Sequence, residues 1–255
     1  MKLAAALLLA ALAGVFLDGS FVAAGASEED AAAQSPWSVN ATLASDYRFR
    51  GQSQTDHRAA VQGGIDYAHS SGLFAGLWAS TIKFNDAQNS PAEVDFTGGY
   101  AHAFSETTQA SLAAAYYWYP DSEPADYDFF EIIGTVSHEL AGATLSGEWT
   151  YSFDYSGSTG ASTGITGGIE LPVPVGDTDW LSASAHIGYQ WVADNANYGV
   201  PDWLFYDIGA TASWRIFALD VRYTGTDLSA LECFGGSNAC DPGIVVSLTL
   251  TIPLH

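Results

Sequence analysis

From Trp37 to Leu254 the chain keeps a beat: stretches of roughly ten residues in which apolar residues alternate with small or polar ones. Alternating long and short polar breaks part these stretches. The last stretch is the cleanest. Ile244, Val246, Leu248, Leu250 and Ile252 fall on one face, and Val245, Ser247, Thr249 and Thr251 on the other. Strand side chains switch faces with period two, so the pattern makes a ribbon with one oily and one wetter side. About a dozen such ribbons behind an export signal predict an all-β fold: a single transmembrane antiparallel up-and-down β-barrel of about 12 strands. A closed barrel has an inside, and function is expected there.

The export signal is read in residues 1–26, as a cleaved signal peptide. Lys2 gives a positive start, Leu3 to Leu17 is rich in alanine and leucine, and Ala24-Gly25-Ala26 offers an A-x-A cleavage site. An anchor helix is the weaker reading. The run is shorter than the roughly 20 residues a span needs, and Asp18 ends it with a charge. Residues 27–36, with Glu28, Glu29 and Asp30 in a row, read as a flexible periplasmic lead-in. No Pro- or Ser-rich linker divides the remainder, so residues 37–255 are read as one barrel domain.

The pattern predicts strands over 37–50, 57–69, 73–84, 93–104, 108–119, 128–140, 143–155, 163–171, 180–192, 203–214, 217–227 and 243–254. Tight breaks such as Ser70-Ser71-Gly72, Ala141-Gly142 and Arg215-Ile216 alternate with longer ones, such as Pro120 to Tyr127 and Leu228 to Pro242. Outer-membrane barrels have short periplasmic turns and long external loops, and the rhythm assigns both chain ends to the periplasmic side. Aromatics cluster toward the outer ends of the odd strands (Tyr47 and Phe49, Tyr116 to Tyr119, Tyr151 to Tyr155, Tyr189 and Trp191). Trp37, Phe104, Trp180, Trp214 and Phe217 sit near the short turns. Two belts of amphipathic rings are what membrane interfaces select.

The formal charge is −22, with 7 basic residues, and Lys83 is the one lysine after the signal. That balance excludes nucleic-acid binding, which needs a basic footprint. It fits a cation-favouring lumen, acidic loops that hold divalent ions, or a halotolerant surface. Cys233 and Cys240 stand in a Gly/Asn/Asp-rich loop of an exported chain and are expected to form a disulfide. Their spacing is not that of a CxxC redox or metal pair.

Ser38-Val39-Asn40 is followed by Ser45-Asp46-Tyr47-Arg48-Phe49-Arg50-Gly51-Gln52-Ser53-Gln54-Thr55. Then come Gln62-Gly63-Gly64-Ile65-Asp66-Tyr67 and Gly76-Leu77-Trp78-Ala79-Ser80. Together these resemble the TorF family of porin-like proteins, which also circulates as a conserved hypothetical protein family of proteobacteria. Glu93-Val94-Asp95 and Tyr223 to Leu228 with the cysteine loop look similar too. The resemblance covers essentially the whole mature chain and implies an outer-membrane barrel with pore activity; it names no cargo. The final Ile252-Pro253-Leu254-His255 departs from the terminal aromatic usual in such barrels.

Polar residues on the strands are expected to face the lumen, because a charge against lipid costs about 2–4 kcal/mol near the midplane. The pore-lining candidates are Asp46, Arg48 and Arg50, then Asp66, Glu93, Asp95, Glu148, Asp154 and Glu170, then His186, Asp207, Asp220 and Arg222. Glu131 and Arg215 join them more loosely. Opposed acids and bases on a pore wall select by charge; alternatively the arginines simply pair with acids inside a plugged barrel. The chain has no HExxH, and its one GxSxG spacing, Gly160-Ala161-Ser162-Thr163-Gly164, leads into a strand pattern and is no strand-to-helix elbow. The reading is therefore non-enzymatic, with no catalytic residues, metal or cofactor. His186 beside Ser182 and Ser184 reads as a polar lumen residue rather than a hydrolase pair, and the Asp121–Asp128 loop as solvated rather than calcium-holding. The expected function is passive diffusion of small solutes or ions, cation-biased, across the outer membrane of a Gram-negative bacterium. Outer-membrane lipid and the barrel-assembly and periplasmic chaperone machinery are the expected partners. A non-conducting structural or adhesive barrel with functional external loops is the alternative.

Overall fold

The computed structural model describes residues 35–84, 90–176 and 180–254. The expected signal peptide, most of the lead-in, parts of the breaks at 85–92 and 172–179, and His255 lie outside the described residues. In chain order the strands are β1 (Trp37–Ala44), β2 (Arg48–Phe49), β3 (Gln52–Ser53), β4 (Ala60–Ala68), β5 (Leu73–Thr81), β6 (Ala92–Ala103) and β7 (Thr108–Trp118). They continue as β8 (Phe129–Leu140), β9 (Ala143–Ser152), β10 (Ser162–Pro172), β11 (Leu181–Val192), β12 (Trp203–Trp214), β13 (Phe217–Thr226) and β14 (Gly243–Pro253), with a short helix α1 (Asn195–Tyr198).

Among the described residues, all strands but β2 and β3 close into one antiparallel barrel of twelve. Each wall strand lies beside the next one in the chain, and β1 seals the ring by pairing with both β4 and β14. Val39 sits opposite Ile65 on one side of the seam and opposite Ile252 on the other. The alternation sets the faces. On β14, Ile244, Val246 and Leu248 are exposed on the outside, and Val245 and Ser247 turn inward. Leu43, Leu112, Ile187, Ile208 and Ile244 are each more than half exposed. A continuous apolar outer wall of this kind is one that lipid satisfies and water does not. Tyr116, Trp118, Phe153 and Trp191 face outward at the long-loop end; Trp37, Phe104, Trp180 and Trp214 do so at the short-turn end.

The expected strand over 37–50 ends early, at Ala44. Ser45 closes it: its N–H donates to Val246 O (2.8 Å), and its Oγ accepts from Val246 N (2.9 Å). Asp46, Tyr47 and Arg48 are then buried in succession. A wall strand cannot bury three neighbours in a row, because every second one would face lipid. The chain instead leaves the wall and folds into the lumen as the β2–β3 hairpin. Arg48 pairs with Ser53 and Phe49 with Gln52, so Arg50 and Gly51 form the tip. Both have positive φ (49° and 80°), as a type I′ turn requires. Gly51 is needed there for space as well: a Cβ would lie 2.6 Å from Gly225 O on β13.

The disulfide Cys233–Cys240 forms in the loop between β13 and β14. That loop clamps the hairpin from above. Ala239 O accepts from Ser53 N (2.8 Å), and Asp241 O accepts from Arg48 Nη1 (2.8 Å). By chain entropy alone a closed ring of this size stabilises by about 2–3 kcal/mol. Replacing both cysteines with serine is therefore expected to lower the temperature at which the folded gel band shifts. An unchanged transition would mean the loop holds the hairpin without its crosslink.

Candidate functional site

Asp46 organises the inward segment. Its Oδ1 accepts from Ser53 Oγ (2.6 Å) and Thr55 Oγ1 (2.7 Å), and its Oδ2 from Arg48 Nε (2.6 Å). Arg48 also donates to Gly51 O (3.0 Å), so its charge is spent within the hairpin and on the cysteine loop rather than on the wall. Arg50 does reach the wall. Its Nη2 bonds both oxygens of Glu131 on β8 (2.9 and 2.8 Å) and Thr150 Oγ1 on β9 (3.1 Å). Tyr117 of β7 donates to the same Glu131 (3.3 Å), while Trp203 of β12 donates through Nε1 to Arg50 O (3.0 Å). Tyr47 donates to Glu93 of β6 (3.0 Å). One short segment thus touches β6, β8, β9, β12 and β13, strands spread round the ring, and it crosses the lumen.

Rings pack around this crossing. Tyr117 stacks on Phe129 at 4.3 Å, Tyr198 on Trp203 at 5.7 Å, and Phe49 tilts onto Tyr117 at 6.0 Å. Asp194 caps α1 by accepting from Asn197 N (3.0 Å), which sets Tyr198 over the hairpin. Tyr47, Phe49, Tyr117, Tyr119 and Tyr155, expected in the outer aromatic belt, therefore lie inside. The reasons are local. Tyr117 falls on the inward register opposite Phe129 and Asp95. Tyr155 lies past the end of β9 at Ser152, where alternation no longer governs.

The other candidates divide by place. Asp207, His186 and Arg222 meet on β12, β11 and β13: His186 Nδ1 is 2.9 Å from Asp207 Oδ1, and Arg222 bonds Asp207, Asp220 (3.2 Å) and Ser184 (3.0 Å). Asp66 on β4 accepts from Asn40 (3.1 Å). Glu93 and Asp95 lie buried on β6. Glu148 and Glu170 stand on the inward register of β9 and β10. Asp154 is not on the wall; it is exposed beyond β9 and caps its own loop by accepting from Gly160 N (2.9 Å). Arg215 sits in the short turn between β12 and β13, over the outward Trp214 ring at 5.0 Å. The sequence pattern does not single out Trp203 or Thr150 for the lumen, and it assigns Tyr117 to the outer belt. Their sole signal there is position on a strand's inward register.

Electrostatically the interior is acidic. Among the described residues, the wall and the hairpin tip set Asp66, Glu93, Asp95, Glu131, Glu148, Glu170, Asp207 and Asp220 against Arg50 and Arg222, with Arg48 committed to Asp46. Toward the short turns the inward register carries small residues such as Ser146, Ser184, Gly209 and Ser247.

A family model described as "Bacterial protein of unknown function (Gcw_chp)" matches residues 28–252. The chain belongs to that family. That description carries no TorF designation, so the resemblance read in the sequence is supported as a porin-like barrel, with the name itself unconfirmed. No curated protein matches the chain. Among solved structures, the chain is similar to the KdgM porin, with a TM-score of 0.57 at 6% identity over 86% of this chain and 99% of that one. A KdgM porin in complex with disordered oligogalacturonate matches to the same extent. The NanC porin is similar with a TM-score of 0.56 at 9% identity, over 84% of this chain and 98% of the other. At such identities the likeness is one of fold: a closed twelve-strand porin-like barrel.

Proposed function

We propose that this protein is an outer-membrane channel of a Gram-negative bacterium, passing small cations or small neutral solutes through a lumen narrowed by its own hairpin. The apolar outer wall and the porin-like fold support a seat in the outer membrane. Insertion there would bring in the barrel-assembly and chaperone machinery as transient partners. The observation that carries the cation bias is the excess of inward carboxylates over Arg50 and Arg222. Rings of acids favour cations by lowering the barrier to entry. The oligogalacturonate of the KdgM complex is a polyanion, and such a wall disfavours a cargo of that kind. The lumen chemistry supports binding and passage.

A second reading has its own observation. The hairpin is fixed by hydrogen bonds, an ion pair and stacked rings, as in a barrel whose loops do the work and whose lumen stays shut. The two readings separate in a planar bilayer. A reversal potential of cation sign in a KCl gradient is expected of the channel. Chloride preference would overturn the bias, and silence from demonstrably folded protein would favour the shut barrel.

A further inference from the structure

Glu93 and Asp95 stand two residues apart on β6 and so share its lumenal face. Both are buried, at 1% and 4% exposure. Tyr47 satisfies one oxygen of Glu93, but Glu93 Oε2 and Asp95 Oδ1 accept no hydrogen bond. Trp78 lies directly opposite Asp95 on β5, and its buried Nε1 donates to nothing. Among the described residues no ion pair includes either carboxylate; the arginine that crosses the lumen is held by Glu131. Two buried acids without a cation partner, with the neutral hydroxyls of Tyr47 and Tyr119 turned toward Glu93, are costly to keep ionised unless something positive sits on them.

We propose that Glu93 and Asp95 hold a hard divalent cation, of which Ca²⁺ is the type, inside the barrel. The donor set is oxygen, which suits Ca²⁺ or Mg²⁺ and not a soft metal. The two carboxylates carry the charge that one divalent ion cancels. The wider Ca²⁺ shell, tolerant of irregular geometry, is filled by water, and the Trp78 N–H donates to a water of that shell. The ion stitches β6 to the hairpin through Tyr47, whose hydroxyl is bonded to Glu93. The site is independent of conduction: it would be occupied in an open or a shut barrel.

The test uses purified, folded full barrel equilibrated with CaCl₂, desalted and assayed for calcium by mass spectrometry. About one equivalent is expected in the wild type and a loss of at least tenfold in Glu93→Gln/Asp95→Asn. The same content is expected in Asp121→Asn/Asp126→Asn/Asp128→Asn, whose acids lie in an outer loop. Tb³⁺ exchanged into the wild type should luminesce on excitation of tryptophan, and Trp78→Phe should cut that emission several-fold while the calcium content holds. This second variant keeps both carboxylates and serves if the double variant does not fold. A wild type that holds no calcium, or a double variant that holds as much, would overturn the site; so would loss confined to the outer-loop variant. Conductance of the same samples speaks to the channel reading separately.

Discussion

Replacing Glu131 with alanine is expected to destabilise the folded barrel by about 3–5 kcal/mol, because it leaves the Arg50 guanidinium buried and without its charge partner. Glu131 has no exposed surface and receives two bonds from Arg50 as well as one from Tyr117. Thr150 remains as a neutral acceptor and does not replace a carboxylate. The check is a urea titration followed by the heat-shifted gel band. Removing both charges with Glu131→Ala and Arg50→Met should recover most of the loss, since a matched pair swapped for apolar groups is often near neutral. A single variant within about 1 kcal/mol of wild type would mean that Arg50 finds water in the lumen and that the hairpin is not locked there.

Trp203→Ala should cost a similar amount, about 3–5 kcal/mol, as large aromatic truncations in packed interiors do. Trp203 is 1% exposed, stacks on Tyr198 and donates to the carbonyl of Arg50 at the hairpin tip. Trp203→Phe separates the two contributions. It keeps a ring and leaves the buried Arg50 carbonyl without its donor, worth about 1–3 kcal/mol. Equal losses in both variants would assign the whole effect to the hydrogen bond, and no loss in either would remove β12 from the hairpin's anchorage.

The wall was legible because alternation is physically enforced by lipid on one side. The β14 pattern, read as Ile244, Val246 and Leu248 outward, is the one observed, and the inward acids of β6, β9, β12 and β13 obey the same rule. The hairpin was not legible by that rule. Asp46, Arg48 and Arg50 alternate with Tyr47 and Phe49 as neatly as any wall strand, yet all five turn into the lumen. Two signals were there to read. Ser45-Asp46 is a polar break able to close a strand, and Arg50-Gly51 is a two-residue turn with glycine second, a weaker form of the Asn-Gly hairpin signal. Neither decides against a longer strand until the partner surfaces on β8, β12 and the cysteine loop are known, and those lie far away in the chain. Asp154 and Tyr155 fail for a related reason: β9 stops at Ser152, and past that point face assignment carries no meaning.

Single-channel conductance in a planar bilayer, compared between wild type and a variant whose Arg48–Ser53 hairpin is replaced by a short Gly-Ser link, tests the central claim most directly. The folded state of each is checked by the heat-shifted band. The expected result is a small cation-selective current in the wild type and a several-fold larger one in the variant, with the reversal potential keeping its cation sign. A folded variant that conducts no more than wild type would contradict a lumen narrowed by its own hairpin.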